Sequence, residues 1–154
     1  MEVRNIMTEE VITVSTGDSV ETCAKLLQEN NISGLPVLDE AGRVAGIVTE
    51  GDLIRRASRV KAPGYLEILG GLIYLGSPKK FVDKLQRAMS LEAGQLMSTN
   101  VIAVNPEETL EKAATLMIEK GISRLPVLDK QGKLVGIISR RDIMRSLYSK
   151  SEQE

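Results

Sequence analysis

The sequence predicts a mixed α/β (α+β) fold in which two β-α-β-β-α half-domains pack against each other with pseudo-two-fold symmetry. The first observation behind this is a repeat. Ile32-Ser33-Gly34-Leu35-Pro36-Val37-Leu38-Asp39 recurs as Ile122-Ser123-Arg124-Leu125-Pro126-Val127-Leu128-Asp129, and Gly46-Ile47-Val48-Thr49 with Asp52 recurs as Gly136-Ile137-Ile138-Ser139 with Asp142, at a constant offset of 90 residues. Extended outward, the offset pairs Met7 with Met97 and Val11-Ile12 with Val101-Ile102, giving roughly 20 identities over about 50 ungapped positions, the mark of a duplicated unit. The second observation is that short apolar runs alternate with stretches of helical period inside each copy. The third is size. One copy is too small to bury its own apolar faces well, so the two must share that task.

The chain therefore divides into half-domains at 5–56 and 95–146, separated by an insert at 57–94. Each half opens with a short β run, at 11–14 and 101–104. A helix follows, with apolar residues at i, i+3, i+4 and i+7: Val20, Cys23, Ala24 and Leu27, then Leu110, Ala113, Ala114 and Met117. Asp18 with Glu21 and Asn105 with Glu108 read as capping boxes, yet the offset shows that they cannot mark equivalent starts. Two strands come next, at 35–38 and 43–49, joined by Asp39-Glu40-Ala41-Gly42, with counterparts at 125–128 and 133–139. Such short Gly-containing connections predict hairpins. A second helix closes each half, near 51–58 and 140–148.

Composition limits the chemistry. The 154 residues contain no His, no Trp and one Cys, so Cys/His zinc sites, His-dependent nucleophilic catalysis and disulfide frameworks lack their parts. Paired carboxylates are the remaining acid-base groups, and no spacing singles out a pair, so no enzyme is predicted. A net charge of −1 gives nucleic acid and anionic membranes no electrostatic footprint. No apolar run approaches the ~20 residues of a bilayer span, and the N-terminus has no signal-peptide pattern, so the expected location is the cytoplasm. Cys23 lies on an apolar stripe and corresponds to an alanine in the other repeat, where no thiol is needed, which marks it as a core residue. Met97, Met117 and Met144 stand at apolar positions and read as core filler.

A strand that ends in Thr49 or Ser139 and opens a helix puts a hydroxyl and backbone N–H groups where a phosphate is favoured. Asp52 or Asp142, three residues on, can accept from the hydroxyls of a ribose. The same residues also read as helix caps, with the acidic side chain complementing the helix dipole. Local spacing leaves both readings open.

The duplicated Ile-Ser-x-Leu-Pro-Val segments and the Gly-apolar-apolar-Thr/Ser-x-x-Asp signatures resemble the cystathionine β-synthase (CBS) domain, present as a tandem pair or Bateman module. The resemblance spans both repeats and implies a stand-alone, homodimeric regulatory module that senses an adenosyl ligand (AMP, ADP, ATP or S-adenosylmethionine) and acts in trans on another protein. It needs no resident cofactor. It also implies two clefts between the repeats, one holding Thr49, Asp52, Ile102, Ser123 and Arg124, the other Ser139, Asp142, Ile12, Ser33 and Gly34. Arg124 offers a phosphate a charged contact in the first cleft that Gly34 cannot match in the second, where Arg140 and Arg141 compensate. The other function class is an interaction protein with decayed ligand sites, acting through the insert.

The insert is long for a connection and so predicts structure of its own. The apolar run at 65–75 contains Gly70-Gly71 as a candidate hinge. After Ser77-Pro78, the residues Phe81, Leu85, Ala88 and Met89 suggest a helix face. The segment reads either as a cover for the module's own core or as a flap or dimer surface.

Overall fold

In the computed structural model, the described residues are 1–59, 65–68, 71–74, 79 and 91–148. The first repeat contains β1 (Val14–Ser15), α1 (Val20–Glu29), β2 (Gly34–Leu38), β3 (Val44–Thr49) and α2 (Glu50–Arg59). A hairpin of β4 (Tyr65–Ile68) and β5 (Gly71–Tyr74) follows, then a short helix α3 (Ala93–Leu96). The second repeat contains α4 (Leu110–Glu119), β6 (Arg124–Leu128), β7 (Leu134–Ser139) and α5 (Arg140–Tyr148). The expected helix face at 81–89, and Gly70 of the expected hinge, lie outside the described residues.

Both expected hairpins form, β2 with β3 and β6 with β7, in the same register and with the same irregularity after Val37 and Val127. Gly42 and Gly132 each take φ of +78° in the connecting turns, a conformation that glycine adopts without a Cβ penalty. The leading strands are shorter than the β runs suggest. Only Val14 and Ser15 pair, parallel to Val37 and Leu38, and in the second repeat Val104 makes a single parallel bridge to Val127.

The caps also differ from the sequence expectation, and the structure removes its inconsistency. Ser19 and Thr109, which correspond under the offset, are the N-caps of α1 and α4, accepting from the N–H of Thr22 at 3.0 Å and of Lys112 at 3.3 Å. Asp18 instead accepts from the N–H of Ser15, and Asn105 from that of Glu107, closing the loops ahead of the helices.

The pseudo-two-fold relation is visible in backbone pairing. Thr8 and Ile137 exchange two hydrogen bonds of 2.9 Å, and Ser98 and Ile47 exchange the equivalent pair at 2.9 and 3.0 Å. Glu2 bridges Thr109 as Glu92 bridges Ser19. Each repeat thus receives the segment that leads into the other. Accordingly Val3 is buried with Val104, Leu110, Met117, Leu125 and Ile138, while Ala93 is buried with Cys23, Leu27, Leu35, Val37 and Val48. Each Val, Leu, Ile or Met among them stabilises the fold by about 1.5–3 kcal/mol when fully buried. Cys23 and Met117 lie in these cores as expected, and Met97 packs against one of them. Met144 does not: it is 52% exposed, on the outer face of α5.

Candidate functional site

Each β-strand ending at the helix junction builds the same local structure. The N–H of Thr49 donates to Asp52 Oδ2 at 2.8 Å, its hydroxyl donates to the same oxygen at 3.0 Å, and the N–H of Asp52 donates back to Thr49 Oγ1 at 3.2 Å. Ser139 and Asp142 repeat this arrangement at 2.8, 2.7 and 3.3 Å. One carboxylate oxygen is therefore committed to starting the helix, which realises the capping reading. The second oxygens differ. Asp52 Oδ1 accepts from Arg55 Nη2 at 2.5 Å, whereas Asp142 Oδ1 accepts nothing among the described residues.

Serines 33 and 123 stand beside these junctions, fixed through their carbonyls by the N–H groups of Glu50 at 3.0 Å and Arg140 at 2.9 Å. Two clefts open here. The first, of about 440 Å³, brings together Thr49, Asp52, Ile102, Ser123 and Arg124. The second, of about 660 Å³, brings together Ser139, Asp142, Ile12, Ser33 and Gly34. Both volumes fall in the range of small-molecule sites. Arg140 and Arg141 line the second cleft, and Arg140 Nη2 also donates to the carbonyl of Met117 at 3.2 Å.

Sequence reasoning missed three things. Ser33 also lines the first cleft and Ser123 the second, so the serines are shared walls. Arg55 sits one turn past Asp52, a spacing that could have been read from the sequence. Most consequential is Arg124, which lines both clefts. Its side chain extends over Gly34 and donates to the Ser33 hydroxyl and, at 3.2 Å, to that of Ser123. Burial pushes the guanidinium below its usual pKa, and the carboxylate of Glu50 partly opposes this.

No three His, Cys, Asp or Glu side chains converge on a metal position among the described residues. No helix among them is long and apolar enough to cross a membrane.

Comparison with known proteins agrees with this architecture. The uncharacterized protein MJ1426 of Methanocaldococcus jannaschii is 30% identical over 154 residues, covering 96% of this chain and 91% of its own length. The structure of CBSX2 in complex with AMP gives a TM-score of 0.73 at 26% identity, covering 97% of this chain and 98% of that one. The CBS domain pair of protein MJ0100, solved with 5′-methylthioadenosine and S-adenosyl-L-methionine, gives the same values. The chain spans 59% of the length of another curated relative, the chloroplastic protein CBSX1 of Arabidopsis thaliana. The CBS domain model matches twice, at residues 3–59 and 93–149, with starts and ends separated by the same offset that relates the repeats. Fold, repeat and family match coincide, and the chain belongs to the CBS-domain family as a tandem pair of CBS domains.

Proposed function

We propose that this CBS pair is a regulatory module that binds an adenosyl ligand, AMP, ADP, ATP or S-adenosylmethionine, in its two clefts and transmits occupancy to another protein. The observation that carries the reading is the meeting, in each cleft, of a hydroxyl-Asp helix start from one repeat with the serine preceding the Leu-Pro-Val strand of the other. The complexes of CBSX2 with AMP and of MJ0100 with adenosyl ligands support the same ligand class. In this reading the Asp oxygen not used by the cap holds the ribose, Ile102 and Ile12 contact the base, and the helix start with nearby arginines holds phosphate. The second cleft has four arginines, Arg124, Arg140, Arg141 and Arg145, against Glu10, Glu50 and Asp142, so it suits the longer phosphate chains.

The module performs no bond chemistry in this reading and works in the cytoplasm, with Cys23 reduced. A ligand can switch it only by binding two arrangements with different affinity. Two copies pair through the face that presents Ile54 and Met144, equivalent residues that are 67% and 52% exposed. A thermal-shift comparison of AMP, ADP, ATP and S-adenosylmethionine tests the reading. A ligand at 100 times its dissociation constant adds about 2.7 kcal/mol, a rise of several degrees in midpoint at this size. No shift with any of the four contradicts it.

A further inference from the structure

Gly34 and Arg124 are the same position in the two repeats, and they meet. A β-carbon on Gly34 would fall on the Arg124 guanidinium and within 2.9 Å of its Cδ and Cζ. The missing side chain of one repeat thus makes room for the long side chain of the other. The guanidinium reaches both Ser33 and Ser123, equivalent residues, and it borders both clefts. Glu50 borders both as well. The partition therefore carries one cation and one anion, while the other cations, Arg55 in the first cleft and Arg140, Arg141 and Arg145 in the second, each border one cleft alone.

Resting on the nucleotide reading above, we propose that Arg124 couples the two clefts: a phosphate in either recruits this single guanidinium, and a phosphate in the other then binds without it. The coupling is negative, and by linkage each site weakens the other by the same factor. Losing one charge-assisted hydrogen bond corresponds to at least about a tenfold loss, about 1.4 kcal/mol. A ligand without phosphate has nothing for Arg124 to hold, so its two binding events are independent.

Calorimetric titration of the full chain with AMP and with adenosine tests this, with Asp52→Ala and Asp142→Ala reporting each cleft alone. The expected result is that the second AMP binds at least about tenfold more weakly than its cleft does alone, that adenosine shows no such loss, and that Arg124→Gln removes the difference. Arg124→Lys, which keeps the charge on a shorter reach, retains part of it and controls for folding. One AMP but two adenosines per chain is the same result in its extreme form. AMP filling both clefts at their separate affinities, a coupling that survives Arg124→Gln, or one site for both ligands overturns the proposal and leaves the nucleotide reading standing. No binding of either ligand overturns the nucleotide reading itself.

Discussion

Gly46 packs against Met97 so closely that a β-carbon there would lie 2.5 Å from the Met97 Sδ and 2.7 Å from the carbonyl oxygen of Ser98. The equivalent pair, Gly136 and Met7, shows the same approach at 2.6 Å. These glycines let the segment that leads into one repeat run along a strand of the other. At Gly46 part of the obstacle is backbone, fixed by the two hydrogen bonds between Ile47 and Ser98. At Gly34 it is the mobile end of Arg124. Gly46→Ala is therefore expected to destabilise the fold by about 2–3 kcal/mol and Gly34→Ala by about 1 kcal/mol or less, read by urea denaturation. Equal losses would contradict this account.

The exchange of leading segments makes a nonlocal prediction. Val3 is fully buried in the core of the second repeat, so Val3→Ala should cost about 1.5–3 kcal/mol. Hydrogen exchange should report faster opening first in α4 and β7, far along the chain, and not in the adjacent first repeat.

Removing the cap oxygen in Ser19→Ala or Thr109→Ala should cost about 1 kcal/mol each in denaturant titrations, and the double variant should show their sum. Asn105→Ala, which touches only an exposed loop bond, should cost less.

Cys23 is fully buried, and burial, reinforced by the charge of Asp18, raises its thiol pKa above the ordinary value. At neutral pH the thiol is protonated in both folded and unfolded chains, so it adds no pH dependence. Above about pH 8.5 the unfolded thiol ionises while the folded one keeps its proton, so stability falls as pH rises. Denaturation followed from pH 7 to 10 should show this loss in the natural chain and not in Cys23→Ala. Thiol reagents should label Cys23 only on opening.

Much of this architecture is legible in the sequence because it is local. The hairpins follow from the short apolar runs joined through Gly42 and Gly132, and the helices from the period of Val20, Cys23 and Leu27 and its repeat. The leading strands are less legible, because pairing reaches back only to Val14 and Val104, opposite Val37 and Val127, where the next residues of β2 and β6, Pro36 and Pro126, have no N–H to give a ladder. Nor does local pattern reveal the crossing of Val3 and Ala93 into the opposite cores, which depends on contacts distant in the chain. Met144 keeps its place on the helical period but faces outward. At the clefts, duplication groups the right residues in two sets, while the double exposure of Arg124 depends on the empty space at Gly34 across the repeats.

Calorimetry with AMP on the natural chain, Asp52→Ala and Asp142→Ala decides whether the two helix-start aspartates hold ligand. Each variant should lose one binding event or weaken it by about 1.5–3 kcal/mol while the other cleft still binds. Unchanged AMP binding in both variants would contradict the assignment of the two helix-start aspartates to ligand sites.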